Sequence, residues 1–401
     1  MKSRRLLYVF FAFIATCLQA NCALADAVLD WNEIGLTTVA ASGQRPPDGA
    51  RAMAMMHVAM FDAINAIEQK YQPYAYQSKA SKNVSTEAAG IAAAHAVLSK
   101  LYPDQAQAIE AAYAASVSKI LDGDTKTSGI ALGREVGSQC LAMRANDGAG
   151  GAATYKHKVT PGVYVPTAFP VSSEWTKIKP WFMRETTQFR PGPPPALTSA
   201  VWSRDLEEIR AIGGRNSAAR TREQTDVARF WTVTGPPSWN PVVRSLAKSA
   251  NLSLIENARL FALVNMAASD AFVAVFDAKY AYDFWRPVTA IRYESDAAWL
   301  PLVETPMHPE YPCAHCISAA AVGAVLESKL GKGTIPTVTM VSPTAPGVTR
   351  SWTRITDYAQ EVNNARVWGG IHYRNSTQVG EQMGKTIGEL AVKSFMTPLE
   401  Q

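Results

Sequence analysis

Three stretches of this sequence carry residues whose types and spacing could hold an anion. The first is "DAKYAYDFWRPVTAIR", residues 277–292, in which Lys279 and Arg286 stand seven positions apart. Seven residues are close to two helical turns, so the pattern predicts both cations on one face of a helix. Pro287 should stop or kink that helix just after Arg286. Tyr280, Tyr282, Phe284 and Trp285 surround the pair with bulky aromatic surface, and cations buried in such surroundings need a compensating anion. The second stretch is "PEYPCAHCISAAA", residues 309–321. Pro312 sits where helices commonly begin, which places residues 313–315 at a helix N-terminus, where free N–H groups and the dipole favour an anion. Cys313 would offer a weak S–H donor there, and His315 a titratable ring. The third is "NARVWGGIHYRNST", residues 364–377. Gly369–Gly370 break the helix that carries Arg366, and His372 can converge with it across that turn.

Three cations, two histidines and a helix N-terminus fit one chemical purpose. A tetrahedral or trigonal-bipyramidal oxyanion such as phosphate or vanadate has several oxygens that need donors and charges that need cations. Other readings of the same residues are weaker. A C-x-x-C redox pair would want a βαβ context, and none is visible. A zinc site would need two further ligands, and only His308 is near. His57 and His95 lie in Ala- and Met-rich runs and read as packed or capping residues, while His157 lies in a polar loop with no role assigned. Asp270 and Asp277 precede Lys279; one could pair with a pocket cation, although an exposed i,i+4 pair is the simpler expectation. Cys313 and Cys316 are three residues apart in a first helical turn, where a Cα separation of about 5–6 Å permits a disulfide. Both the disulfide and a pair of reduced, buried thiols stay open.

The three stretches resemble the shared motifs of vanadium-dependent haloperoxidases and type 2 phosphatidic acid phosphatases. K-x6-R-P stands as Lys279 to Arg286–Pro287, P-S-G-H as Pro312–Cys313–Ala314–His315, and S-R-x5-H as Ala365–Arg366 to His372. "RAMAMMHVAMFDAINAI", "RPGPPPALTS" and "REQTDVARFW" are further similar to the soluble, exported bacterial haloperoxidase-like branch, so the resemblance spans nearly all of the chain after its first 25 residues. It implies that Lys279, Arg286 and Arg366 bind equatorial oxygens of vanadate or phosphate, with Cys313 and the backbone N–H at Ala314 as further donors. His315 would act as acid or base beside an apical oxygen. His372 would coordinate vanadium directly, or attack phosphorus. The implied function is halide oxidation with hydrogen peroxide at a His-bound vanadate. The alternatives are an acid phosphatase that hydrolyses phosphomonoesters through a phosphohistidine, and a degenerate oxyanion-binding homologue. Four departures stand out: Cys313 for serine, Ala314 for glycine, Ala365 for serine, and Ser376 where the family usually has Asp. The last removes the carboxylate that could orient the ring of His372.

The elements that must position these residues read as helices. Apolar residues recur at helical spacing over 51–67, 85–102 and 104–121, then over 203–213, 219–232, 252–285, 315–330, 352–368 and 376–395. Alternating β-type runs are scarce and no short-period repeat is clear. Gly- or Pro-rich breaks fall at 146–153, 190–199 and 234–241, and the region 150–196 reads as a long irregular excursion. The expectation is an all-α protein of one or two helical bundles: an N-terminal helical region, 26–190, and a helical domain carrying the oxyanion site, 191–401.

Composition sets the bounds. Of 401 residues, 47% are hydrophobic and 18% charged, as in globular proteins. Lys2, Arg4 and Arg5, the apolar run that follows and "ALA" at 23–25 read as an export signal cleaved before Asp26. That predicts a periplasmic or secreted protein, with no later segment long and apolar enough to span a membrane. Removing the signal takes three positive and no negative charges from the formal +5 and leaves about +2, too little to argue for nucleic acid. Only Cys140, Cys313 and Cys316 then remain, too few for a disulfide framework.

Overall fold

A computed structural model describes residues 26–153, 155–166 and 168–400; the expected export signal, 1–25, lies outside them. Thirteen α-helices dominate the described residues. The first five are α1 (Ala27–Ala41), α2 (Pro46–Glu68), α3 (Thr86–Leu101), α4 (Ala106–Val117) and α5 (Asp124–Met143). After a long irregular stretch come α6 (Ala200–Ile212), α7 (Arg222–Phe230), α8 (Asn240–Ser249), α9 (Leu254–Tyr282) and α10 (Pro287–Glu294). The last three are α11 (Ala314–Leu330), α12 (Ile355–Trp368) and α13 (Arg374–Ser394). The only sheet among the described residues is an antiparallel hairpin, β1 (Val338–Val341) with β2 (Thr349–Trp352). The expected all-α fold is what forms. Helices α1, α5, α8 and α10 are additions to the sequence reading.

Helix α9 is the axis of the molecule. A capping box at Ser253 and Glu256 satisfies its first N–H groups, and nearly every residue from Ile255 to Lys279 is buried. A helix apolar all round must be surrounded, and α9 packs against both α2 and α11. By length and composition it could cross a membrane, contrary to the sequence reading, yet its apolar stretch is wholly buried within the fold. The main apolar cluster runs from Ala27 to Met396 and draws on both sides of residue 190. The irregular stretch is tied to α9 as well: Asp270, fully buried, accepts from the backbone N–H groups of Trp181, Phe182 and Met183.

Two helix contacts are unusually close. On α13, a Cβ at Gly380, Gly384 or Gly388 would lie 2.7, 2.2 or 2.5 Å from the carbonyl oxygens of Cys313, Ile317 and Ala321 on α11. On α5, Gly129, Gly133 and Gly137 bear the same relation to Ser85, Ala89 and Ala93 of α3, at 2.6, 2.2 and 3.0 Å. Only glycine permits such an approach, because any side chain would collide with the facing backbone. The α11–α13 contact fixes where the site is built.

Candidate oxyanion site

Lys279 lies in the last turn of α9, fully buried, and donates from Nζ to the carbonyls of Pro309 and Glu310 at 2.8 and 2.7 Å. The helix ends sooner than Pro287 suggested. Asp283 adopts a left-handed conformation at φ 51° and closes α9, and Arg286 stands outside it as the N-cap of α10, with Pro287 as that helix's first residue. The expected shared helical face therefore does not exist. The two cations converge because the chain turns back between 283 and 285. Arg286 is buried; its Nε donates to His308 O at 3.0 Å and Nη1 to Ile371 O at 2.8 Å. Its Nη1 also lies 3.2 Å from His372 Nε2, and Nη2 3.0 Å from His308 Nδ1.

The segment 309–315 folds as the N-terminus of α11, as its sequence predicts. Cys313 is the N-cap, Ala314 the first helical residue, and no acidic side chain occupies the first turn. The cysteines form a disulfide, Cys313–Cys316, with a Cα separation of 5.4 Å. This corrects one expectation: a disulfide-bonded Cys313 has no S–H to give an oxyanion. Its Sγ instead accepts from Cys316 N at 3.2 Å and caps the helix. Cys313 N in turn donates to Ser376 O at 3.2 Å, which pins the start of α11 to the start of α13. His315 is hydrogen-bonded to the backbone of Val233, and its Nε2 has no partner.

Arg366 and His372 converge across the Gly–Gly turn. Gly370 has φ +79°, and a Cβ there would lie 2.3 Å from Gly213 O, so the sharp turn needs glycine. The backbone N–H groups of Ile371 and His372 both return to Arg366 O. Arg366 is buried, with Nη1 donating to Trp231 O at 2.6 Å and Nε unpartnered. The ring of His372 is buried too, and it does have a carboxylate. Glu310 Oε1 lies 2.7 Å from His372 Nδ1 and also accepts from Tyr373 N at 3.1 Å. Ser376 Oγ, at the position where the sequence lacks the expected carboxylate, is 3.4 Å from the same Nδ1. Sequence reasoning does not find Glu310, because this carboxylate is remote in sequence from the histidine it meets. The available signal was a single acid between Glu304 and Glu327, set in "HPEYP".

The electrostatics are those of a pocket short of negative charge. Burial, then the field of Arg286, holds the Lys279 amine well below its usual value. Burial brings Arg286 down to about 10 and Arg366 down to about 9. His315 and His372 lie well below their ordinary value, again through burial first and the neighbouring cations second. Burial pushes the Glu310 carboxyl up to about 7 against the pull of Lys279 and Arg286. Neither aspartate of α9 supplies the missing anion: Asp270 is taken up by backbone N–H groups, and Asp277 pairs with Arg190 at 2.7 Å. An orphaned buried donor at Arg366 Nε and an unpartnered ring nitrogen at His315 Nε2, around three cations, fit an oxyanion ligand. Outside the site, His57 stacks on Phe261 and His95 on Tyr113, both as packed residues.

Residues 259–401 match the family model of the VCPO second helical-bundle domain. Vanadium chloroperoxidase of Curvularia inaequalis is 25% identical over 392 aligned residues, covering 74% of this chain and 64% of that protein, so the chain spans under two thirds of this relative's length. Among solved structures, a bacterial vanadium-dependent iodoperoxidase superposes with a TM-score of 0.80 at 22% identity, over 93% of this chain and 97% of that one. The holo form of a bacterial vanadium-dependent chloroperoxidase gives 0.72 at 17% identity, over 86% and 91%. At those identities the structural likeness speaks for the fold. With the matched second bundle and the chloroperoxidase relative beside it, the chain is similar to the vanadium haloperoxidases in fold and, over 259–401, in sequence.

Proposed function

We propose that the chain is a vanadate-dependent haloperoxidase-like enzyme that oxidises halide with hydrogen peroxide, and that phosphate competes for the same pocket. One observation carries the reading. Lys279, Arg286 and Arg366 are buried together, and among the described residues none of them forms an ion pair. Burying three cations beside the single carboxylate of Glu310 is costly unless an anion completes the site.

The three cations and the N–H of Ala314 at the head of α11 would hold the oxygens of the ligand. Vanadate, when bound, supplies a Lewis-acidic centre that activates peroxide towards halide. The protein's own part is positional and protonic. His372 Nε2 holds a lone pair in the pocket, because Arg286, which can only donate, occupies that side of the ring. His315, kept neutral by burial and by Arg366, can take a proton at Nε2 and return it. Export to the periplasm or beyond is proposed on the signal-like N-terminus and on the Cys313–Cys316 disulfide, which persists in oxidising compartments.

The test is an assay of purified protein with and without orthovanadate, for bromide and iodide oxidation by peroxide and for phosphomonoester hydrolysis, beside a thermal titration. Halide oxidation that depends on vanadate is expected. Vanadate at 100 times its Kd should stabilise the fold by about 2.7 kcal/mol, and phosphate should compete. Hydrolysis without halide oxidation would assign the pocket to phosphate-ester chemistry. No thermal shift with millimolar vanadate or phosphate would overturn the oxyanion site itself.

A further inference from the structure

We infer that Glu310 is the positioning residue of His372, a carboxylate brought from the α11 loop to do what position 376 does not. The inference rests on the reading above for the purpose of His372, but its geometry stands independently. Glu310 and His372 are both essentially inaccessible, at 0% and 1% exposure, and Oε1 to Nδ1 is 2.7 Å. The ring's protonation follows from its two neighbours. Arg286 Nη1 lies 3.2 Å from Nε2 and can only donate, so Nε2 is the acceptor. Nδ1 then carries the hydrogen and donates it to Glu310. The ring is thus fixed in the one tautomer that keeps a lone pair on Nε2; it accepts from Arg286 here and would turn to the central atom of an oxyanion once that guanidinium donates to the ligand's oxygens instead.

Glu310 is itself held from three sides. Tyr373 N donates to the same Oε1 at 3.1 Å. The backbone of Glu310 donates to Phe284 O at 2.9 Å and accepts from Lys279 Nζ at 2.7 Å. The carboxylate that orients the histidine therefore sits on the residue whose carbonyl anchors the first cation, so the two halves of the site are set by one loop. Ser376 Oγ, 3.4 Å from Nδ1, is at the edge of hydrogen-bond reach and leaves the task to Glu310. An aspartate at 376 has the reach to replace it.

The test reads the apoprotein first. Long-range 1H–15N NMR on ring-15N-histidine protein, with His372→Asn to assign the signal, reports which nitrogen carries the hydrogen. Wild type should show His372 protonated at Nδ1. Glu310→Ala should lose that pure tautomer and bind vanadate and phosphate about 10- to 100-fold more weakly. Glu310→Ala/Ser376→Asp should regain both, which a merely space-filling role for Glu310 would not produce. Should Glu310→Ala fail to fold, Glu310→Gln decides. Its carbonyl keeps Nδ1 protonated, but loss of charge should move the Nε2 resonance and weaken the oxyanion affinity. A folded Glu310→Ala, or in its place Glu310→Gln, with wild-type ring signals and wild-type affinity would overturn the inference. If wild type shows the Nδ1 tautomer yet binds neither oxyanion, the proposed function fails and the positioning stands.

Discussion

The α3–α5 and α11–α13 pairs use one device twice, and only one of them borders the candidate oxyanion site. In each, three glycines at four-residue intervals let one helix lie against the backbone of the other, with ideal Cβ positions 2.2–3.0 Å from facing carbonyls. Each partner helix opens on a side-chain cap: Ser85 Oγ accepts from Ala88 N, and Cys313 Sγ from Cys316 N. The difference lies at the N-termini. Helix α3 carries its own acid, Glu87, in its first turn and begins in a partly exposed loop. Helix α11 has no acid there and begins in a buried one, with Lys279, Arg286 and Arg366 gathered before it. Close helix packing supplies rigidity to both pairs. The candidate site comes from leaving one positive helix end, among buried cations, without an anion of its own.

The buried histidines of the two halves put the largest expected effects on that contrast. His372→Ala should abolish halide oxidation, because among the described residues no other presents an imidazole lone pair at that point of the pocket. Arg286→Ala should mainly weaken oxyanion binding, about 10- to 100-fold, since Lys279 and Arg366 still hold part of the charge. Steady-state kinetics beside vanadate binding separate the two; a His372→Ala protein with wild-type turnover would put the chemistry elsewhere. His57, packed between Asn32 and Phe261, should behave as a stability residue only. Burial takes it down to about 3, below its unfolded value near 6.5. Its contribution is therefore complete above pH 6.5 and is lost as pH falls towards 3, by several kcal/mol. His57→Gln, which cannot charge, should flatten acid unfolding across that window and leave oxyanion affinity unchanged. Denaturant melts at pH 7, 5 and 4 check the slope, and an unchanged slope would mean that the ring is solvated or paired when charged.

The glycines sharpen the comparison further. Gly133→Ala and Gly384→Ala would each place a Cβ 2.2 Å from a carbonyl oxygen, Ala89 O in one pair and Ile317 O in the other. Overpacking of this kind costs about 1–3 kcal/mol, so the two variants should be destabilised alike. Their effects on the site should differ. Displacing α13 strains the Cys313 N to Ser376 O contact and moves His372, so Gly384→Ala should also lose oxyanion affinity in the folded protein. Gly133→Ala should not. Equal losses of affinity would show that the pairs are coupled through α9, which touches α2 and α11 alike.

The two pairs were not equally legible. Lys279, Arg286, Arg366, His315 and His372 stand out by type and spacing as candidates for one site, because cations set among aromatics, and a histidine beside a Gly–Gly break, have few other uses. Their convergence is what the structure brings out. The helical face expected to carry both Lys279 and Arg286 does not form, since Asp283 turns left-handed four residues before Pro287 and nothing in "YAYDFW" marks it. Helix α5 escaped notice because Gly129, Gly133 and Gly137, with Thr and Ser between, disfavour a helix locally; its stability comes from packing on α3. Glu310 was unreadable for a different reason. Its partner is 62 positions away, and the pairing depends on how α11 and α13 dock.

The smallest effect tests whether the cap chemistry itself matters. Cys313→Ser/Cys316→Ser gives α11 the cap that α3 already has. The chain loses a cross-link that closes a very short loop, for which the loop-entropy relation gives about 2 kcal/mol. It gains a hydroxyl that caps better than sulfur, which typically offsets about 1 kcal/mol, so a net loss near 1 kcal/mol is expected in a thermal or urea melt. Oxyanion affinity should be kept, because the ligand-holding cations and the Ala314 N–H are untouched, and the Cys313 N to Ser376 O bond is made by backbone. Mass spectrometry of alkylated, unreduced wild type should find neither Cys313 nor Cys316 modified; modification of both would mean that the protein as isolated keeps them as thiols. If the disulfide is present and the serine variant binds vanadate far more weakly at equal foldedness, then the cross-link holds His315 in register, and a cap alone cannot.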